Sequence, residues 1–102
     1  MINHIVMFQL QTDIDPDTRL SIMQSFKQSI ESLPHDISCI RNIHVGFNCN
    51  PAEKWDICLT SLFDTMTDVQ TYSQHPKHQA AATAIRPYVT QRACVDYEDE
   101  KD

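Results

Sequence analysis

Alternation of apolar and polar residues along the chain predicts four β-strands. They cover residues 2–10, 43–47, 55–63 and 90–97. Strands that are buried on one face alternate cleanly, whereas the first, third and fourth of these carry apolar residues on both sides. The pattern therefore predicts a sheet with two apolar faces.

Apolar residues spaced three and four positions apart predict two helices between the strands. The first covers residues 16–33 and begins after Asp15, an N-cap residue type. The second covers residues 67–85 and opens with capping-box spacing at Thr67. Pro76 is expected to break this helix, because proline disfavours the helical conformation in the residue before it.

The predicted order is β-α-β-β-α-β, the split βαβ arrangement of an α+β fold. Both helices then cover one face of a four-stranded antiparallel sheet and leave the other face apolar and bare. An apolar face of this kind is stabilised by burial at about 25 cal/mol per Å², so we predict a two-fold homodimer with its sheets face to face. The predicted interface residues are Ile5, Met7, Cys58, Leu62 and Val95.

Length and composition limit the function classes. A chain of 102 residues is long enough for one domain, which is predicted over residues 1–97. The acidic tail at residues 98–102 is expected to be disordered. The net charge of −6 and the single glycine, Gly46, argue against nucleic-acid binding and against a glycine-rich phosphate loop. No apolar run is long enough for a membrane span and no signal-peptide pattern is present, so a cytoplasmic protein without membrane contact is predicted.

No metal site or cofactor is predicted. None of the four cysteines forms a C-x-x-C pair, and they are expected to be structural thiols. They are Cys39, Cys49, Cys58 and Cys94. His75 and His78 have i, i+3 spacing, but Pro76 distorts that turn and no third ligand lies beside them.

A series of short segments, spread over residues 4 to 97, resembles one family. They are His4-Ile5-Val6-Met7-Phe8, Leu33-Pro34, Val45-Gly46-Phe47-Asn48, Trp55-Asp56-Ile57, Phe63-Asp64, Tyr72 with His75-Pro76-Lys77-His78, and Arg92-Ala93-Cys94-Val95-Asp96-Tyr97. In identity and order they resemble the stress-responsive dimeric α+β barrel (Dabb) domain family. The resemblance implies a ferredoxin-like protomer, a dimeric barrel and a role in stress response.

The same resemblance implies catalytic roles for His78, Tyr72 and His4. Plant polyketide cyclases of this family use the histidine and tyrosine that match His78 and Tyr72 as general base and hydrogen-bonding partner, and the histidine matching His4 lines their pocket. We expect the His78 imidazole within hydrogen-bond reach of the Tyr72 hydroxyl, directly or through one water. The predicted ligand pocket is lined by Phe8, Phe26, Ile57 and Leu59.

Three functional hypotheses stay open. The first is a homodimeric Dabb protein that binds a small apolar or aromatic molecule between sheet and helices. The second is a cofactor-independent cyclase or lyase that closes a ring by an aldol-type step with a histidine base. The third is a cofactor-free monooxygenase or a haem-handling barrel. From the residues alone, the two histidines and the tyrosine could equally form a structural polar cluster.

Overall fold

The structure, a computed structural model, describes residues 1–99 and has the predicted alternation of strands and helices. The strands are β1 (Ile2–Leu10), β2 (Asn42–Phe47), β3 (Ile57–Phe63) and β4 (Val89–Glu98). The helices are α1 (Pro16–Glu31), α2 (Met66–Gln74) and α3 (Pro76–Ile85). Single 3₁₀ turns follow α1 and α3, at Leu33–His35 and Arg86–Tyr88.

The four strands form one antiparallel sheet in the order β2-β3-β1-β4. This order and the helices packed on one face confirm the predicted ferredoxin-like α+β fold. In the register, His4 lies opposite Ser61 of β3 and Asp96 of β4, so these three residues share one face of the sheet. That face, which the helices cover, is called the inner face below.

The hydrophobic core lies between the inner face and the helices. Strands β1, β2 and β3 contribute alternate residues to it, as the two-residue period of a strand requires, whereas β4 contributes only Val89 at its start. The helices contribute residues spaced three or four apart, which is the helical period. The most deeply buried side chains are those of Leu10, Ile30, Val45, Ile57, Ser61, Phe63 and Tyr72.

Three element boundaries differ from the sequence prediction, two of them for identifiable local reasons. β3 begins at Ile57 rather than residue 55, because the backbone and carboxylate of Asp56 bond to the end of β1, at Phe8 and Leu10. α2 is capped by Thr65 rather than Thr67: the Thr65 hydroxyl accepts from the backbone N–H of Asp68. The first helix also ends earlier, at Glu31, and the chain passes into a 3₁₀ turn.

The predicted break in the second helix is confirmed. His75 is extended, with φ −65° and ψ 137°, and separates α2 from α3. Its ring Nδ1 accepts from the backbone N–H of Lys77 and so caps α3. His75 is therefore the N-cap residue of α3.

The chain end is ordered further than predicted. Glu98 is the last residue of β4, and the backbone N–H of Asp99 donates to the carbonyl of Met1. Residues 98 and 99, the first two positions of the predicted tail, thus extend the pairing of β4 with β1. Residues 100–102 lie outside the described residues.

The five predicted interface residues all lie on the outer face of the sheet, away from the helices. Ile5 pairs with Val95 in the register, and Met7 pairs with Cys58. Ile5, Met7, Cys58 and Leu62 are half-buried, and Val95 is 53% exposed. Tyr97, beside them on β4, is 50% exposed. The outer face thus carries a group of apolar side chains across β3, β1 and β4, as the strand patterns predict.

Candidate functional site

The first side chain of the site is the buried imidazole of His4 on β1. Its Nδ1 lies 2.6 Å from Oδ1 of Asp96, its register partner on β4. Because an ionised carboxylate only accepts hydrogen bonds, His4 donates from Nδ1. When the ring is neutral, Nε2 therefore carries the free lone pair.

The second side chain is Tyr72 of α2, which is completely buried. Its ring packs against His78 at a centroid distance of 4.5 Å, against Phe63 at 5.1 Å and against His4 at 5.9 Å. Its hydroxyl is buried and makes no hydrogen bond within residues 1–99. Burial raises the pKa of Tyr72, so the hydroxyl remains protonated at neutral pH and is available as a donor.

The third side chain is His78, in the first turn of α3. Its Nδ1 lies 3.0 Å from the backbone carbonyl oxygen of Ser73. A carbonyl only accepts, so Nδ1 donates and Nε2 of the neutral ring is a free base. Burial lowers the pKa of His78; the Ser73 carbonyl opposes this, and the charges of His4 and Arg92 add to the lowering. His78 is therefore neutral at pH 7.

The helix break brings Tyr72 and His78 together. Six residues of straight helix would rotate one side chain by about 240° from the other. With the break at His75 the two rings are instead in contact. The two ring planes are tilted by 59° to each other. The expected direct hydrogen bond is not formed: the His78 Nδ1 is bonded to the Ser73 carbonyl, and the Tyr72 hydroxyl has no partner within residues 1–99.

These three side chains line one partly open cavity of about 80 Å³. Six of the seven residues predicted for the site or its pocket contribute to its wall, namely His4, Phe8, Phe26, Leu59, Tyr72 and His78. Ile57 does not line it; this residue pairs with Phe8 and Phe47 and is buried in the core. The wall residues that sequence reasoning missed are Val6, Ile30, Ser73, Ala82 and Arg92.

A second, larger space adjoins the cavity. A groove of about 260 Å³ between α3 and β4 shares Phe8, Ala82 and Arg92 with it. Arg92 forms no ion pair with any carboxylate of residues 1–99. A molecule whose end lies in the cavity can therefore continue into the groove beside the cationic side chain of Arg92.

Three polar residues of β4 at this site were not predicted. Arg92, Cys94 and Asp96 lie on the inner face because they alternate along the strand. Cys94 Sγ is 3.8 Å from His4 Nδ1, so it belongs to the same polar group of side chains. Alternation could have assigned them a common face, but their contact with His4 depends on the pairing of β4 with β1.

Comparison with known proteins gives the family and similar structures. A family model described as the stress responsive A/B barrel domain (Dabb) matches residues 2–99. None of the curated proteins compared matches significantly. No helix within residues 1–99 combines the length and the apolar character that crossing a bilayer requires.

Three solved structures illustrate the range of similarity. A dimeric protein of ferredoxin-like fold from Bacteroides fragilis NCTC 9343 is 48% identical, with a TM-score of 0.93 and coverage of 96% of this chain and 95% of that one. A dimeric ferredoxin-like protein from Thermobifida fusca YX is 25% identical, with a TM-score of 0.76 over 94% and 88% of the two chains. A hydroxynitrile lyase from Passiflora edulis is 14% identical, with a TM-score of 0.75 over 99% and 94%, and shares the fold alone. By the extent of the family match, this chain belongs to the stress-responsive A/B barrel (Dabb) family.

Proposed function

We propose that this Dabb protein binds a small apolar or aromatic molecule that carries a hydrogen-bond acceptor such as a carbonyl. The observation that supports this most directly is the buried hydroxyl of Tyr72, which has no partner within residues 1–99 and belongs to a residue that lines the cavity together with two histidines. A buried hydroxyl without a partner costs about 1–3 kcal/mol. A ligand carbonyl in the cavity would accept a hydrogen bond from this hydroxyl and remove that cost.

The volumes of the cavity and the groove suggest which part of such a ligand lies in each. A cavity of about 80 Å³ is smaller than an engineered apolar cavity of roughly 150 Å³ that holds benzene. It therefore fits the carbonyl end of a ligand, and the apolar remainder extends past Phe8 into the adjoining groove. Arg92, at the junction, favours a ligand with a second oxygen or a negative charge.

A thermal-shift screen of aromatic ketones, linear and cyclic polyketides and haem tests binding. A ligand present at 100 times its Kd adds about 2.7 kcal/mol of stability to the folded protein. For a true cavity ligand, Tyr72→Phe should weaken binding by the worth of one hydrogen bond, about 0.5–1.5 kcal/mol. Tyr88→Phe, outside the cavity, is the matched control. A ligand that binds wild type and Tyr72→Phe equally well would refute the proposed site.

A second candidate function is cofactor-independent aldol-type ring closure, and the free Nε2 of a neutral His78 favours it. His78 would take a proton from a carbon next to the ligand carbonyl, while the Tyr72 hydroxyl donates to the developing enolate oxygen. The enolate carbon would form a bond to a second carbonyl carbon, and His78 would return its proton to the resulting alkoxide.

A measurement of turnover distinguishes an enzyme of this kind from a binding protein. Using any polyketide found in the screen, His78→Ala should lower the rate by roughly 10²–10⁴, the contribution of a general base, while the ligand still binds. An unchanged rate would exclude His78 as the base. Ligand binding with no product in wild type would favour the binding protein.

We also propose that two copies pair through their outer faces. The apolar character of that face supports this, as do the relatives from Bacteroides fragilis and Thermobifida fusca, which are described as dimeric. Light scattering at micromolar concentration should give twice the chain mass of 11.8 kDa. A stable species of 11.8 kDa would contradict the pairing.

A further inference from the structure

Three potential metal ligands of different chemistry meet on the inner face at β1 and β4. One donor atom each from His4, Cys94 and Asp96 lies within 4.8 Å of the other two. The arrangement follows from the sheet: Cys94 and Asp96 alternate to the same side of β4, and Asp96 is the register partner of His4. Neither Cys94 nor Asp96 lines the ligand cavity, and His4 is the one residue of the cluster that does.

The spacing of these donors is close to that of a tetrahedral site. Zinc bonds of about 2.0 Å to nitrogen and 2.3 Å to sulfur place the two donors about 3.5 Å apart at the tetrahedral angle. Cys94 Sγ is 3.8 Å from His4 Nδ1 and 3.9 Å from Asp96 Oδ2. The 2.6 Å hydrogen bond between His4 and Asp96 would have to open by several tenths of an ångström, since a metal ion would replace the proton between them.

We propose that His4, Cys94 and Asp96 bind a divalent transition-metal ion, of which zinc fits best. Imidazole, thiolate and carboxylate are the three ligand types that zinc takes in proteins, whereas calcium and magnesium prefer oxygen alone. Three protein ligands leave a fourth tetrahedral position for water or another small ligand. The exposure of Cys94 and Asp96 gives the ion a path to the site.

The protons balance in this binding step. The Cys94 thiol releases its proton to solvent and binds as the thiolate. His4 can bind the metal ion only as the neutral imidazole, so its remaining proton lies on Nε2 when the ion holds Nδ1, and any second ring proton is released to solvent. Nε2 then changes from acceptor to donor. Because His4 also lines the cavity, metal binding alters the hydrogen bonding available to a ligand there.

Cobalt titration of the full, reduced, metal-free chain tests the proposal. We expect one equivalent of Co²⁺ per chain, a thiolate-to-cobalt charge-transfer band, the strong visible bands of a four-coordinate ion, and loss of all of these when Zn²⁺ is added. Cys94→Ser should abolish the charge-transfer band and weaken binding at least about tenfold, a loss found even for second-shell partners. Asp96→Asn should weaken binding without removing the band.

Cys49→Ser is the matched control, since Cys49 is an exposed cysteine in the loop between β2 and β3. It should keep the full spectrum and affinity. Circular dichroism of each variant checks folding, and Zn²⁺ should raise the Tm of wild type and Cys49→Ser but not of Cys94→Ser. The proposal is overturned if wild type binds neither ion, or if a folded Cys94→Ser keeps the wild-type spectrum and affinity.

Discussion

At the residue scale, the hydroxyl of Tyr72 is the one buried side-chain polar atom within residues 1–99 that has no hydrogen-bond partner. Without added ligand, Tyr72→Phe should raise the free energy of unfolding by about 1 kcal/mol, because the substitution removes a buried hydroxyl that has no partner and keeps the ring. Urea denaturation measures the change. Tyr88→Phe, a half-buried tyrosine outside the cavity, should stay within about 0.5 kcal/mol of wild type. A loss of stability in Tyr72→Phe would show that the hydroxyl has a partner.

The pKa of His78 gives a pH prediction of definite sign. Its folded-state pKa lies below the ordinary value of 6.5, mainly because of burial. Below pH 6.5 the unfolded chain therefore binds a proton at this position more readily than the folded chain. The His78 contribution thus lowers stability progressively as pH falls through 6.5 toward the folded-state pKa, and it has no such effect well above pH 6.5.

Urea midpoints measured between pH 7.5 and pH 5 test this prediction. His78→Gln should lose less stability than wild type on acidification, since it removes the group that resists protonation. His35→Gln, at an exposed histidine, should follow the wild-type profile. If the His78→Gln and wild-type profiles are parallel over this range, the assigned direction is wrong.

The sequence could indicate most of the cavity wall but not the partners of its polar groups. Phe8, Phe26 and Leu59 follow from strand and helix periodicity, which assigns residues to a face. The contact between His4 and Asp96 joins residues 92 positions apart. It depends on which strands are neighbours and in what register, and a local pattern carries neither.

At the element scale, the break before Pro76 was predictable because its cause is local. Proline restricts the preceding residue to extended conformations in any fold. The N-cap of α2 was not predictable from the sequence, because Thr65 and Thr67 are both acceptable N-cap residues. The choice between them depends on where β3 ends. The sequence thus predicted the helix break that brings Tyr72 and His78 into contact. It misplaced the start of α2, the helix that carries Tyr72.

The packing of α1 on β2 depends on one carboxylate. Glu31 Oε2 accepts from the backbone N–H of Val45 at 2.9 Å and from Lys27 Nζ at 2.7 Å. Lys27 Nζ also donates to the Val45 carbonyl at 2.6 Å. These side chains therefore bind the free backbone groups of an edge strand, which would otherwise be open to pairing with another chain.

Glu31→Ala should accordingly lower the free energy of unfolding by about 1.5–3 kcal/mol, because the N–H of buried Val45 loses its charged acceptor. Urea denaturation measures the loss. Glu53→Ala, at an exposed loop glutamate, should change stability by less than about 0.5 kcal/mol. Equal stability of the two variants would mean that water replaces the carboxylate at the edge of β2.

At the scale of the whole molecule, the two faces of the sheet carry the two proposals separately. The inner face is covered by helices and holds the cavity, the Tyr72 and His78 rings and the proposed metal ligands. The outer face carries apolar side chains without a covering element in residues 1–99. The outer-face pattern was readable from sequence, because apolar residues on both sides of a strand call for cover on both sides.

Leu62→Asp tests the proposed pairing of outer faces most directly. Leu62 is a half-buried outer-face residue that lies opposite Asn3 and Asn42 in the register. In a dimer the substitution buries a carboxylate without a partner in each copy, which costs about 3–5 kcal/mol per charge. One such charge raises the dissociation constant of the dimer roughly a hundredfold to several thousandfold.

Light scattering over a dilution series should therefore show the chain mass of 11.8 kDa for Leu62→Asp at concentrations where wild type has twice that mass. Leu20→Asp is the matched control, because Leu20 is a leucine 49% exposed on α1, far from the outer face. It carries the same change of charge and should leave the dimer intact. Circular dichroism separates dissociation from unfolding, since an apolar face left without its cover also lowers the stability of the chain. A folded Leu62→Asp protein that remains a dimer as tight as wild type would show that the copies associate through some other surface.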